Sequence, residues 1–188
     1  QDEVYKYFPD AQLNLEGIKF SKQDLVEFIQ NAEAIIVGLD EISVDVIDKC
    51  PNLKIIAKYG VGLDNIDIEE CKRKNIKIGW TGGVNKLSVA EMALGFMLMF
   101  ARNLFISSNE LKDGKWNKSA GFQLSGKTVG IIGMGHTGKE LVRLLKPFDC
   151  QIIANDVLDQ TDYYSQNNIQ EVSKDEIFKV SDFVTINT

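Results

Sequence analysis

Cysteine is scarce in this sequence. Its 188 residues hold three, Cys50, Cys71 and Cys150, far apart and in no metal-ligand spacing. An odd number without a Cys-x-x-Cys pair points to free thiols in a reducing compartment rather than to a disulfide framework. Histidine is scarcer still, with His136 alone. Long hydrophobic runs are missing too. The most apolar stretch, Met92–Ala101, is broken only by Gly95 and is far too short to span a bilayer. No secretory leader is recognisable at the start. Positive charge is in deficit. The 21 Lys and Arg face 27 Asp and Glu, and a formal net charge of −6 argues against nucleic acid or an anionic membrane as partner. A soluble, cytoplasmic protein is expected. What remains, 44% hydrophobic and 26% charged, is ordinary for a globular chain holding one large domain or parts of two.

The most informative stretch is Thr128–Asp156. It reads as an apolar strand (Val129–Ile132), a turn Gly133-Met134-Gly135-His136-Thr137-Gly138, a helix from near Thr137, a second strand (Ile152–Ala154) and an acid. A lone G-x-G-x-x-G says little. Here it follows a strand, opens a helix and meets Asp156, which lies 156 − 138 = 18 residues beyond its last glycine. Gly133 permits the tight turn, Gly135 lets a pyrophosphate approach bare backbone, and Gly138 lets helix and strand pack closely. The N–H groups and positive dipole end of the helix that begins near Thr137 then face the phosphates. Asp156 accepts hydrogen bonds from the ribose hydroxyls and repels a 2′-phosphate, so NAD is favoured over NADP. The competing reading is a phosphate-free α/β turn with an incidental acid.

The opening residues show no periodicity and no initiator Met, so the true start is expected upstream. Ser21, with Asp24 three residues on, caps a helix carrying Leu25, Phe28 and Ile29. Strands are expected at Ala34–Val37, Leu53–Ala57 and Ile76–Ile78, with helices at Val44–Lys49 and Asp67–Lys74 between them. That alternation implies a parallel α/β layer, and Thr81-Gly82-Gly83 marks the way out of it. Asn85–Ser108 reads as one long helix with a capping box of Ser88 and Glu91. Its apolar residues (Leu87, Ala90, Leu94, Met97, Leu98, Ala101 and Phe105 on one face, Met92, Phe96, Met99 and Phe100 elsewhere) require burial on several sides, by a second subunit or a neighbouring domain. Residues 109–126 read as a polar loop anchored by Trp116 and Phe122, and Leu158–Asn168 as turns. A short helix (Lys174–Val180) and a strand (Phe183–Asn187) follow, with a weaker strand near Gln170–Ser173. A complete Rossmann sheet has six strands, so the chain is expected either to be a fragment or to lack its remainder in these residues.

The residues also carry a family resemblance. Pro51-Asn52-Leu53-Lys54-Ile55-Ile56, Gly60-Val61-Gly62-Leu63-Asp64-Asn65-Ile66-Asp67, Ser88-Val89-Ala90-Glu91 through Arg102, Gly114-Lys115-Trp116 and Leu124 to Asp156 stand in its order and spacing. The chain resembles the D-isomer-specific 2-hydroxyacid dehydrogenases, which include phosphoglycerate, glyoxylate/hydroxypyruvate and D-lactate dehydrogenases. The resemblance implies an α/β protein with a flavodoxin-like substrate domain over residues 1–80. Residues 81–188 would be part of a Rossmann doubly wound parallel-sheet NAD domain. It implies that backbone N–H groups at Val61 and Gly62 hold the substrate carboxylate, as a small nest of amides can; by itself the segment also reads as a plain βα turn. Asp64 and Asn65 are expected to brace that turn through local bonds. Val89 matches a position near the nicotinamide, although alone it reads as core.

Helix 86–108 matches one at the family's dimer interface, which implies a homodimer. The cofactor-binding set is then Val89, Gly133, Gly135, His136, Thr137, Gly138 and Asp156. The family's substrate arginine, proton-transferring histidine and supporting glutamate come from the second half of its nucleotide domain, and none is in this chain. His136 lies in the glycine loop, as a solvent-edged residue or a pyrophosphate contact. Arg102, near the end of the long helix, reads as structural. The whole protein is expected to transfer a hydride between NAD and a small D-2-hydroxy acid, and the 188 residues alone to be inactive. A non-catalytic NAD-binding module is the alternative.

Overall fold

The computed structural model describes residues 2–118 and 120–187. The chain divides into two compact units, one ending at Thr81 and the other starting at Gly82. In the first, α1 (Asp2–Tyr7) and α2 (Lys22–Ile29) precede β1 (Ala34–Val37), α3 (Val44–Asp48), β2 (Ile55–Lys58), α4 (Ile68–Arg73) and β3 (Lys77–Gly79). The strands form a parallel sheet in the order β1-β2-β3, pairing Ala34 with Ile55 and Ile55 with Lys77. The cap at Ser21 forms as the sequence implies. Its hydroxyl accepts from the Asp24 N–H while the Asp24 carboxylate accepts from the Ser21 N–H. Asp67 caps α4 in the same way, accepting from the Glu70 N–H at 2.8 Å. Leu25, Ile29, Val37, Ile42, Val46, Ile47, Ile56 and Cys71 close the core. The opening residues depart from expectation, because Asp2–Tyr7 is helical despite its lack of periodicity.

The second unit contains α5 (Lys86–Ala101), α6 (Leu104–Lys112), β4 (Thr128–Ile132), α7 (His136–Leu145), β5 (Gln151–Asn155), α8 (Thr161–Asn167), β6 (Gln170–Glu171), α9 (Lys174–Val180) and β7 (Phe183–Ile186). Its sheet is parallel in the order β6-β5-β4-β7, with Thr128 opposite Gln151 and Val129 opposite Phe183. Strand order thus reverses at β4, where α/β folds open a crevice for ligands at the carboxyl ends of the strands. Val129, Ile131, Met134, Leu141 and Leu145 fill the core beside Ala90 and Met97 of α5. Each such Leu contributes roughly 1.5–3 kcal/mol of burial. Gly130 is structural: a Cβ there would meet Ile177 Cγ2 at 2.5 Å, so α9 lies directly on β4.

Several expectations need correction here. The helix expected over Asn85–Ser108 is two helices bent by 64°. Asn103 takes a left-handed φ of 52° and ends the first, a conformation asparagine tolerates better than most residues. The freed Ala101 carbonyl accepts from the Phe122 N–H at 2.7 Å. Ser88 is not an N-cap, since α5 already starts at Lys86 after Asn85. Within this chain Ala90, Met97 and Ala101 of α5 are buried, whereas Leu87, Met92, Phe96 and Phe100 of α5 and Phe105 of α6 are exposed. Residues 109–112 belong to α6 rather than to a loop. Trp116 is no anchor, being 76% exposed. Phe122 does pack, with its ring 5.9 Å from that of Phe183 and the Lys127 ammonium over it. Within Leu158–Asn168, α8 forms because Asp159 accepts from the Thr161 N–H and hydroxyl, and Asn168 ends it with φ 54°. No described helix is long and apolar enough to cross a membrane on its own.

Candidate functional site

Two loops carry the residues singled out from the sequence, one in each unit. In the first unit, β2 ends at Lys58 and the chain turns through Tyr59 to Gly62. Gly60 has φ +148°, and a Cβ there would lie 3.1 Å from Lys58 Cε, so both conformation and space call for glycine. Val61 and Gly62 are exposed. Among the described residues, the N–H groups of Gly60, Val61 and Gly62 donate to no other atom of the chain. The Val61 carbonyl is engaged, accepting from Trp80 Nε1 at 2.9 Å. A row of unspent N–H groups is what an anion-binding turn requires.

The brace beneath this turn differs from the local one expected. Asn65 Nδ2 donates to Asp40 O at 2.6 Å and to Gly38 O at 3.3 Å, reaching the loop after β1. Lys58 Nζ donates to Gly38 O at 2.5 Å and to Asn65 Oδ1 at 2.6 Å. One ammonium therefore ties the ends of two neighbouring strands together. Asp64 stays exposed, with its carboxylate against Gly62, where an added Cβ would meet Oδ1 at 2.5 Å. Lys58 was missed as a brace because nothing in its local sequence names a partner at Gly38, 20 residues away.

In the second unit, β4 runs into Gly133, whose φ is +93°. Met134 is fully buried, Gly135 is exposed and serves as N-cap of α7, and His136 and Thr137 form the helix's first turn. The three glycines are needed for different reasons. Gly133 needs its conformation. A Cβ on Gly138 would lie 2.3 Å from Gly133 O, so helix and turn touch backbone to backbone. A Cβ on Gly135 would meet nothing within 4 Å. No protein atom asks for glycine at 135, and the bare surface there faces outward beside the free N–H groups of a helix start. That is a cradle a diphosphate would fill.

Asp156, after β5, lies across from this loop. Its Oδ2 accepts from the Met134 N–H at 2.5 Å and its Oδ1 from the Leu158 N–H at 2.8 Å. Burial pushes this carboxyl's pKa up, but the N–H groups of Leu158, Met134 and Val157 and the charge of Lys139 outweigh it, holding the group below the ordinary aspartate value. It is therefore a fixed anion with a lone pair still open on each oxygen. Tyr164 packs in the core nearby. Burial, with the charges of Asp156 and Glu171, drives its phenol up to about 12. His136 lies against Gly83, whose φ is +72° and where a Cβ would come within 2.5 Å of the imidazole Cγ. Lys86 Nζ stands 3.7 Å from Glu140 Oε2. Val89 is half exposed on α5, and Arg102 is the C-cap of that helix. Gly133, Gly135, His136, Thr137 and Gly138 thus meet Asp156 at one end of the second sheet. Val61 and Gly62 belong to the first unit. No group of three or more metal-ligating side chains gathers among the described residues.

Comparison with known proteins agrees with this geometry. The family model of the D-isomer specific 2-hydroxyacid dehydrogenase NAD binding domain matches residues 94–188. A hydroxypyruvate reductase of Thermotoga maritima is 38% identical over 179 residues, which are 93% of this chain and 57% of that protein. Human D-3-phosphoglycerate dehydrogenase is 32% identical over 187 residues, 97% of this chain and 35% of that one. The chain therefore spans between about a third and about three fifths of the length of these relatives. Among solved structures, a Thermus thermophilus protein superposes with a TM-score of 0.81 at 26% identity, over 92% of this chain and 56% of its own. An Aquifex aeolicus D-lactate dehydrogenase, solved with NAD and lactic acid, shares the fold at a TM-score of 0.85 and 23% identity, over 100% of this chain and 57% of its own. A glycine loop with one position open to the outside, a fixed acid across from it and a match over the second unit converge: the chain belongs to the D-isomer specific 2-hydroxyacid dehydrogenase family and carries its NAD-binding domain.

Proposed function

We propose that the whole protein is an NAD-dependent oxidoreductase interconverting a small D-2-hydroxy acid, of phosphoglycerate, glycerate or lactate type, with its 2-keto acid. The observation that carries this reading is the open position at Gly135 between a strand end and a helix start, with Asp156 fixed across from it. Gly135, Thr137 and Gly138 hold the diphosphate through backbone N–H groups, on a turn that Gly133 makes possible while its own N–H donates to the Asn155 carbonyl; His136 borders it, and Asp156 takes the adenosine ribose. Bound there, NAD supplies the nicotinamide that gives or takes the hydride. Val89 lies towards the nicotinamide end. The first unit serves the substrate: the unspent N–H groups at Val61 and Gly62 hold its carboxylate, on a turn kept in place by Lys58 and Asn65. Positioning of this kind is what the protein adds to the cofactor's chemistry.

The only histidine of the chain stands in the glycine loop, so the 188 residues are proposed to bind NAD without turning substrate over. The whole protein is proposed to act as a homodimer through residues 86–108, supported by exposed Leu87, Met92, Phe96, Phe100 and Phe105. Three free cysteines support a cytoplasmic setting. Calorimetric titration with NAD and NADP tests the cofactor reading, and turnover of D-lactate, D-glycerate and D-3-phosphoglycerate by the whole protein tests the activity. NAD binding without oxidation of any D-2-hydroxy acid would favour a regulatory NAD-binding module instead. Measurable turnover by the 188 residues alone would overturn the division of labour.

A further inference from the structure

We propose that Trp80 is a positioning residue for the substrate: its indole sets the orientation of the Val61–Gly62 peptide, whose N–H is offered to the substrate carboxylate. The inference rests on the carboxylate reading of this turn and deepens it. Trp80 follows directly on β3, which lies beside β2 in the sheet. Its Nε1 donates to the Val61 carbonyl at 2.9 Å. In a trans peptide the carbonyl and the next residue's N–H point in opposite directions, and no peptide bond among the described residues is cis. The bond that fixes the Val61 carbonyl therefore fixes the Gly62 N–H as well, directed away from the indole.

The turn needs such an outside clamp. Gly60, with φ +148°, and Gly62 flank Val61, and a glycine on one side lowers the steric barrier to rotating the Val61–Gly62 peptide plane. A rotated plane would present a carbonyl oxygen where the N–H now stands, and a carboxylate would meet a like partial charge. Among the described residues the N–H groups of Gly60, Val61 and Gly62 donate to no protein atom, so no backbone bond of their own secures them. Lys58 and Asn65 hold the turn from the β1 side, through the Gly38 and Asp40 carbonyls. Trp80 holds it from the β3 side. Neighbouring charge alone does not select an anion here, because it is mixed. The Lys58 ammonium would lie 3.8 Å from a Cβ on Gly60, and the Asp64 carboxylate 2.5 Å from one on Gly62. Selection has to come from direction, from N–H groups held in a fixed orientation. A carbonyl that accepts a hydrogen bond also polarises its own peptide, which makes the paired N–H a better donor.

Trp80 is 47% exposed, so its bond to Val61 competes with water. It then counts as one ordinary net hydrogen bond, a factor of about five in the balance between the two peptide orientations. Substrate binds one orientation, and its apparent affinity falls with the fraction of turns that adopt it. The carboxylate does not react, so its contacts are equal in ground and transition states, and weakening them raises KM without lowering kcat. The experiment measures 2-keto acid reduction by the whole protein, native and with Trp80→Phe, Trp80→Leu or Trp80→His, at about pH 8, where a histidine ring is neutral. Histidine Nε2 stands at the ring position of tryptophan Nε1 and can carry a hydrogen, whereas phenylalanine and leucine have no donor. The expected result is a 2-keto acid KM about fivefold higher in Trp80→Phe and Trp80→Leu and near native in Trp80→His. In every variant kcat should stay within about twofold and the KM for NADH should not move. Packing alone predicts the reverse order, because phenylalanine keeps more apolar ring than histidine. A native KM in Trp80→Phe and Trp80→Leu, equal impairment of all the variants, a fall in kcat in place of a rise in KM, or failure of the donor-less variants to fold overturns the proposal. Gly62→Pro, which deletes the N–H itself, tells that failure from failure of the carboxylate reading. If it raises the KM while the Trp80 variants do not, the turn still holds the carboxylate and only the role of Trp80 falls. If it leaves the KM at the native value, the carboxylate reading falls and takes the proposal with it.

Discussion

Two single-methyl substitutions three residues apart should fail in opposite ways. At Gly138 the added Cβ would stand 2.3 Å from Gly133 O and 3.4 Å from Met134 Sδ. The obstacle is backbone, so relief requires α7 to move off the turn. Overpacking of this kind costs about 1–3 kcal/mol or more, against which alanine recovers up to about 1 kcal/mol of helix propensity. Gly138→Ala is therefore expected to destabilise the second unit by about 2 kcal/mol. At Gly135 the added Cβ meets nothing within 4 Å. Its φ of −76° and ψ of −152° are open to alanine, and the stability cost is that of a poorer N-cap, about 0.5–1 kcal/mol. The methyl would occupy the place proposed for the diphosphate. Gly135→Ala is expected to weaken NAD binding by at least about tenfold, or about 1.4 kcal/mol. Stability is read by hydrogen exchange of the β4 amides in urea, which reports the second unit alone, and affinity by calorimetry. Gly135→Ala binding NAD as the native chain does, or losing as much stability as Gly138→Ala, would refute the assignment of separate roles to these glycines.

Other outcomes follow from the same structure. Asp156→Asn presents an amide to two N–H donors that now meet carboxylate oxygens. It should cost about 1–3 kcal/mol in the second unit and narrow the preference for NAD over NADP; an unchanged ratio of the two affinities would contradict the ribose role. On acidification, Asp182 behaves like Asp156. Its carboxyl is held below the ordinary value by the Thr128 N–H and by Lys127, with burial opposing. Both folded values are depressed, so the stability they contribute is complete above about pH 5 and is lost as pH falls through the folded values. The midpoint temperature of the second unit should drop between pH 5 and pH 3, with a shallower slope in Asp182→Asn. Lys58→Met removes the donor shared by Gly38 O and Asn65 Oδ1. It should destabilise the first unit by about 1–3 kcal/mol and leave exchange in the second unit unchanged.

How much of this was legible in advance depended on how local each cause is. Ser21 with Asp24 marked a helix start, and the G-x-G-x-x-G segment with its acid 18 residues on marked a strand, helix and strand, because caps and tight turns are decided by neighbours in the chain. Alternating apolar segments and helices likewise determined two parallel sheets. The tertiary structure decided the rest. The bend at Asn103 depends on Phe122, 19 residues on, taking up the Ala101 carbonyl, and helical periodicity cannot register a partner so distant. Trp116 reads as an anchor by its size and is exposed by its surroundings. Lys58, an anonymous cation in sequence, ties two loops together once β1 and β2 lie side by side. The sequence alone could name the three glycines of the loop, but only packing separated Gly135, where the protein leaves open space, from Gly138, which the protein's own backbone requires, because that difference is a distance across space to Gly133 O.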